Sequence, residues 1–143
     1  GLALSGPPVL MDLREEKEGM GYAGAEACAD CHQSQFDQWK STKHATAFLS
    51  LLDQNRHWVP HCVQCHVTGM NKSGGFKTYP ASAKMMNVQC ETCHGPGQAH
   101  IDEFGTGPIR RGEAQAVCIQ CHDAKNSPKF EETFDLYFEQ IKH

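Results

Sequence analysis

Eight cysteines in 143 residues are the side chains with most chemistry to offer, and their spacing narrows what that chemistry is. All fall into Cys-x-x-Cys pairs, Cys28/Cys31, Cys62/Cys65, Cys90/Cys93 and Cys118/Cys121. A histidine follows each pair at once: His32, His66, His94 and His122. With nine histidines in the chain, four such coincidences have odds of roughly one in 10⁵. A disulfide scaffold needs no histidine, and a zinc ribbon needs none directly after each pair. Covalent haem attachment requires that order, because two thiols add to the porphyrin vinyl groups and the next imidazole is set under the iron. The expected cofactor is four covalent haem c groups, held by all eight thiols, which leaves no cysteine for a structural disulfide.

Each iron then has a sixth position, and its occupant decides function. Histidine gives a low-spin centre of low potential, methionine raises the potential, and a vacancy admits a substrate. Beyond the four proximal ligands remain His44, His57, His61, His100 and His143, enough for bis-histidine ligation throughout. Met11, Met20, Met70, Met85 and Met86 suit packing or loops better. The unusual stretch is "RHWVPHCVQCHV", residues 56–67, with His57 and His61 just ahead of Cys62. The attachment motif pins that stretch to the proximal side of its own haem. Either histidine would therefore cap a different haem, in this chain or a neighbouring molecule, or simply sit at the surface. His61 is favoured as the ligand and His57 is the alternate.

The elements that must position these groups are mostly helical. In "QSQFDQWKSTKHATAFLSLL" Phe36, Trp39, Ala47, Phe48 and Leu51 recur at helical spacing, so one helix is predicted, with His44 inside its apolar stripe. A second is predicted over "SPKFEETFDLYFEQIKH", opened by Ser127-Pro128, with His143 pointing off its apolar face. "GMNKSGGFKTYPASAKMM" and "HGPGQAHIDEFGTGPIRRGE" read as turns and loops. Residues 1–21 read as an arm and 22–143 as a single domain. At about 36 residues per haem the macrocycles must furnish much of the core. The expected fold is mainly α and loop-rich, a few helices wrapped around four covalently attached haems, with little or no sheet.

The formal charge is −4, and four ferric haems with ionised propionates bring it to about −8. That excludes nucleic acid and leaves redox proteins as donor and acceptor. No run of about 18 apolar residues is present, so a membrane-spanning chain is excluded. Haem attachment outside the bacterial cytoplasmic membrane implies a periplasmic or extracellular protein with an exported precursor, and "GLALSGPPVLMDLREEKEGMGYAG" reads as a mature terminus.

The run "YAGAEACADCHQSQFDQWKSTKHATAF", then "CVQCHVTGMNKSGGF" and "CETCHGPGQAH", resembles the tetrahaem cytochrome c-554 family from about Tyr22 onward. The resemblance implies an electron carrier with closely packed haems. It also implies that His44 caps the haem of His94, His100 that of His32, and the C-terminal histidine that of His122. The sequence departs from the family twice. The family's second haem can lack a protein sixth ligand and has no histidine before its motif, whereas His57 and His61 stand there in this chain. His143 also ends the chain, a placement that resembles extracellular tetrahaem filaments in which one subunit's histidine caps the next subunit's haem. Electron transfer is the expected function, with self-association through inter-subunit ligation left open. The alternative is a small reductase of nitric oxide, nitrite or hydroxylamine at an open iron, for which Arg110, Arg111 and Lys125 are the cationic candidates.

Overall fold

The chain is seen in a computed structural model that describes residues 21–110 and 114–143. The arm expected over 1–21 lies outside these residues except for Gly21, as do Met11, Met20 and Arg111. The described helices are short: α1 (Ala25–Ala29), α2 (Gln33–Lys40), α3 (Ala47–Asp53), α4 (Pro60–Val63), α5 (Cys90–His94), α6 (Gln98–Asp102), α7 (Ala114–Cys118) and α8 (Phe134–Ile141). Two 3₁₀ turns, Lys43–Thr46 and Ala83–Met85, and one isolated antiparallel bridge between Val67 and Met86 complete the regular structure. The architecture is the expected one, mainly helical and loop-rich, with no sheet among the described residues.

None of these helices is long enough to persist alone in water, so each owes its existence to contacts. The attachment motifs are themselves helical turns. The His32 amide donates to the Cys28 carbonyl (2.9 Å), and the His122 amide to that of Cys118 (2.8 Å). Such a turn puts the first cysteine and the histidine, four positions apart, on one face.

The single helix predicted from residue 33 onward is broken into α2, a 3₁₀ turn and α3. Ser41 Oγ donates to the Gln38 carbonyl (2.6 Å) and Thr42 Oγ1 to that of Trp39 (2.7 Å). Hydroxyls that bond back to the preceding turn compete with the helix ladder and end it. The last helix also begins later than predicted, at Phe134. Ser127 gives its amide to the Asp123 carbonyl (2.8 Å) and its hydroxyl contacts His122 Nδ1 (2.9 Å), so it closes a loop instead of capping a helix.

Residues 85–91 are the hub of the fold. The Asn87 amide donates to the His66 carbonyl and the Val88 amide to that of His44, both at 3.0 Å. Asn87 Oδ1 accepts from the Phe48 amide (2.9 Å), and the Val88 carbonyl accepts from Trp39 Nε1 (2.7 Å). Gln89 Oε1 accepts from the Ala25 amide (2.8 Å). Asn87 has φ 74°, a left-handed conformation that asparagine tolerates better than most residues. One segment thus ties α1, α2, α3 and two haem motifs together. Removing the indole donor in Trp39→Phe is expected to cost about 1–2 kcal/mol, read as a shift in the denaturation midpoint of the holoprotein.

The apolar core is small and lies around the second motif: Phe48, Leu51, Val63, Val67, Phe76 and Met85, with Tyr22, Leu52, Cys62, Met70 and Met86 packed against it. Met70, Met85 and Met86 are therefore packing residues. Elsewhere large apolar side chains stay exposed, including Leu136 at 69%.

Candidate haem centre

Three of the four motif histidines have one ring nitrogen tied down. His66 Nδ1 lies 2.6 Å from the Ala47 carbonyl, His94 Nδ1 2.7 Å from the Arg110 carbonyl, and His122 Nδ1 2.9 Å from Ser127 Oγ. His100 is held likewise by the Gly107 carbonyl (2.9 Å). A carbonyl can only accept, so in His66, His94 and His100 the Nδ1 carries the proton and the bare Nε2 is left for a metal. The loop reaches His100 because Gly107 packs on Ala99, where an added Cβ would meet the Ala99 carbonyl oxygen at 2.3 Å.

The attachment thiols come together in a definite order. Cys28 lies within hydrogen-bond reach of Cys90, and that contact, ahead of burial, pushes its pKa well above the ordinary thiol range, so the thiol stays protonated. Cys121 is pushed up to about 12, first by burial and then by its contact with Cys65. Burial raises Cys93 too, with Cys118 the next contributor, and α5 packs on α7. Motif 1 therefore abuts motif 3, motif 2 abuts motif 4, and motifs 3 and 4 are neighbours. No disulfide joins any of the eight.

Cys31 departs from the expectation that every motif thiol is an interior anchor. It is exposed, whereas the other seven are partly covered. Its local turn is not the cause, since the Cys31 amide donates to the Cys28 carbonyl (3.2 Å) just as Cys65 does to Cys62 and Cys121 to Cys118; the difference lies in what packs over each motif. Cys28 alone carries motif 1 into the thiol order. Cys31 keeps its assignment from the Cys-x-x-Cys-His spacing, as the second thioether of the first haem. When bound, that haem would be held there through a thiol that faces solvent.

A cavity of ≈ 640 Å³ opens among motifs 2, 3 and 4, lined by Cys62, Cys65, Cys93, Cys118 and Cys121 with His44, His61, His66 and His122. Its far wall is aromatic, from Phe130, Phe134, Tyr137 and Phe138. Thiols, imidazoles and an apolar wall are the surroundings a covalently bound macrocycle requires. A tetrahedral zinc site requires four converging protein donors, and among the described residues no three of His, Cys, Asp and Glu converge in that way. A porphyrin supplies its own four nitrogens and asks the protein only for axial ligands. The donor set fits haem.

Two imidazole pairs stand opposite each other. The ring centroids of His44 and His122 are 6.2 Å apart, and those of His94 and His143 are 5.9 Å apart. Imidazoles trans across one metal, with bonds of about 2 Å, have centroids about 6.3 Å apart. Burial pushes the His44 imidazole below its ordinary range, with His122 contributing, and burial does the same to His122. Both shifts favour the neutral, metal-binding ring. These ring contacts set His44 against His122 and His143 against His94, whereas the family resemblance implied the haem of His94 for His44 and that of His122 for His143.

His143 reaches His94 because α8 stops at Ile141 and Lys142 turns extended (φ −67°, ψ 149°), its carbonyl accepting a hydrogen bond from Gln38 Nε2. A regular helix to the end of the chain would have turned the ring away. Among the described residues, no ring contact joins His32 to His100. His57 packs edge-on against Phe48 (6.4 Å) and Tyr79 (5.5 Å), and its Nδ1 is buried without a hydrogen-bond partner. His61 is exposed on the cavity rim and is among the groups that hold the Asp123 carboxyl down, after the Asn126 amide, which is the main cause.

Sequence reasoning missed Glu91, inside the third motif. It is 2% exposed, and its carboxylate accepts from the amides of Ala23 (2.9 Å), Gly24 (2.6 Å) and Gly97 (2.7 Å). The only available signal was a carboxylate between two motif cysteines, a feature that Asp30 of the first motif shares. Ser127 was read as a helix start, and the loop that aims it at His122 has no periodicity to betray it.

Residues 27–95 match the family model described as "Cytochrome c554 and c-prime". Cytochrome c-554 of Nitrosomonas europaea is 34% identical over 92 residues, covering 54% of this chain and 39% of that protein. The matched region thus spans about two fifths of the relative's length. The solved structure of the reduced state of cytochrome c554 from the same organism superposes with a TM-score of 0.63 at 22% identity, over 87% of this chain and 84% of the other, a likeness of fold. The four motifs are attachment sites for haem c, one each. Residues 27–95 are thus similar in sequence to the cytochrome c554 family model, and most of the chain is similar in fold to cytochrome c554.

Proposed function

We propose that the protein is a tetrahaem electron carrier of the periplasm or extracellular space, working between a redox donor and a redox acceptor protein. The observation that carries this reading is the order of the motif thiols, Cys28 beside Cys90, Cys93 near Cys118, and Cys121 beside Cys65. It supports a continuous haem row in the order 1–3–4–2 along which electrons hop. The exposed Cys31 marks the first haem as the end of that row open to a partner. Bound haem supplies a one-electron iron couple. The polypeptide's work is to hold the rings close and fix their axial ligands.

For those ligands the proposal pairs His32 with His100, His94 with His143, and His122 with His44. That leaves the sixth position of the His66 haem without an assigned in-chain ligand, because His61 is pinned beside Cys62 on the proximal side. Mass spectrometry should find roughly 2.5 kDa above the polypeptide mass, and a reductive titration should take up four electrons per chain. A bare chain, or uptake of fewer electrons, would overturn the reading. No described helix is long and apolar enough to cross a membrane. The ring of His143 already lies 5.9 Å from that of His94 in its own chain, which favours in-chain ligation over a filament. Light scattering across concentration should report a monomer.

The second reading is a reductase at an open iron. What favours it is His57, whose ring is taken up by Phe48 and Tyr79 and so is withdrawn from the haem of His66. A high-spin ferric signal from one haem of the native protein, shifted by added nitric oxide, would support it. Spectra that are low-spin throughout would remove it.

A further inference from the structure

We propose that Ser127 is a positioning residue for the His122 ring, and that it sets the reduction potential of that haem apart from the others. The inference rests on the reading of His122 as a haem ligand. His66, His94 and His100 are all held by main-chain carbonyls. Ser50 Oγ also approaches His66 Nδ1, at 3.4 Å, but only beside the 2.6 Å carbonyl; His122 differs, because a side-chain hydroxyl 2.9 Å away takes the place of the carbonyl. With iron on Nε2 the proton must sit on Nδ1, so the hydroxyl is the acceptor. A hydroxyl is a weaker acceptor than an amide carbonyl. The imidazole it holds has less anionic character and donates less to ferric iron, which favours the ferrous state.

The position of Ser127 is fixed by its own loop. Its amide donates to the Asp123 carbonyl (2.8 Å). Asp123 Oδ1 gathers the amides of Lys125 (3.1 Å) and Asn126 (2.8 Å) and the Asn126 side-chain amide (2.9 Å). The ring plane is fixed separately: Phe130, 5% exposed, stacks on His122 at 4.5 Å and 12°. One residue thus holds the proton and another the plane. His143 Nδ1 also meets a main-chain carbonyl, that of Ile141 at 3.2 Å. His122 is therefore the haem-ligand candidate whose Nδ1 partner a point substitution removes without touching the backbone. The haem of His122 should titrate at a higher potential than those of His66 and His94.

The test is a spectroelectrochemical titration of the holoprotein, with electron paramagnetic resonance on the same samples, for Ser127→Ala, Ser127→Thr and Ser127→Asp. The alanine variant should raise the midpoint of one haem in four, by roughly tenfold in its reduced-to-oxidised ratio at fixed potential. Aspartate, a stronger acceptor, should lower that same midpoint, and threonine should restore it. Shifts of the same sign in alanine and aspartate, equal movement of all four haems, or no movement would each overturn the proposal. Should the aspartate protein not accumulate, the alanine and threonine pair decides alone. His122→Ala separates the two levels. If it makes one haem high-spin while the Ser127 series is flat, the inference fails and the ligand assignment stands. If it changes no haem, the assignment itself is wrong.

Discussion

Replacing Glu91 by alanine is expected to lower the stability of the holoprotein by about 3–5 kcal/mol, a drop of roughly 10–20 °C in melting temperature for a domain of this size. The carboxylate is 2% exposed and serves three main-chain amides from two segments. Hydrogen bonds to a charged acceptor are the strong ones, and deleting the acceptor strands three buried donors at once. The donors Ala23 and Gly24 are 68 and 67 residues away in sequence, so the contact joins the first motif to the third. Glu91→Gln should lie between wild type and alanine: its amide oxygen still accepts, but its NH₂ faces donors. Thermal and denaturant unfolding would measure both variants, with haem content determined alongside. A loss below about 1 kcal/mol in the alanine variant would show that the carboxylate does not link the two segments as the geometry requires.

Removing His143 is expected to convert about one haem in four from six-coordinate low-spin to high-spin iron, since nothing else would complete its ligand set. Its 5.9 Å separation from His94 predicts which haem. His143→Ala and His94→Ala should be non-additive in their effects on the low-spin signal, because both act on one centre. His143→Ala and His122→Ala should add. His44→Ala gives the mirror result, coupling to His122 and not to His94, as the 6.2 Å pair requires. The reverse pattern would restore the pairing implied by family resemblance. Added imidazole should return the His143→Ala spectrum to low-spin, which a protein that had merely misfolded would not do.

Much of this was readable from residue order. The four Cys-x-x-Cys-His motifs identify their chemistry because thioether attachment and proximal ligation act within five consecutive residues, a range over which sequence order is spatial order. The helical, sheet-poor class follows similarly from local periodicity and from the scarcity of apolar residues relative to haems. His44 stood out because an imidazole within an apolar stripe is conspicuous. The spacing that names Cys31 an attachment thiol could not tell that it faces outward, since exposure is set by what packs over the motif.

What lay beyond reach was every choice involving two distant segments. Whether His44 faces His94 or His122 depends on hydroxyls at 41 and 42 ending α2 and on the Val88 amide holding the His44 carbonyl. His143 turns toward His94 because Lys142 leaves the helix and Gln38 holds it, which helical periodicity extrapolated to the chain end cannot anticipate. Glu91 and Ser127 acquire their roles only from amides and a ring brought to them by folding. Residue order alone was enough for the cofactor and its proximal ligands, since that chemistry is local. The imidazoles that face His122 and His94, and the acceptors behind His66, His94 and His122, emerged only on folding, because hydrogen bonds between remote loops leave no period in the chain.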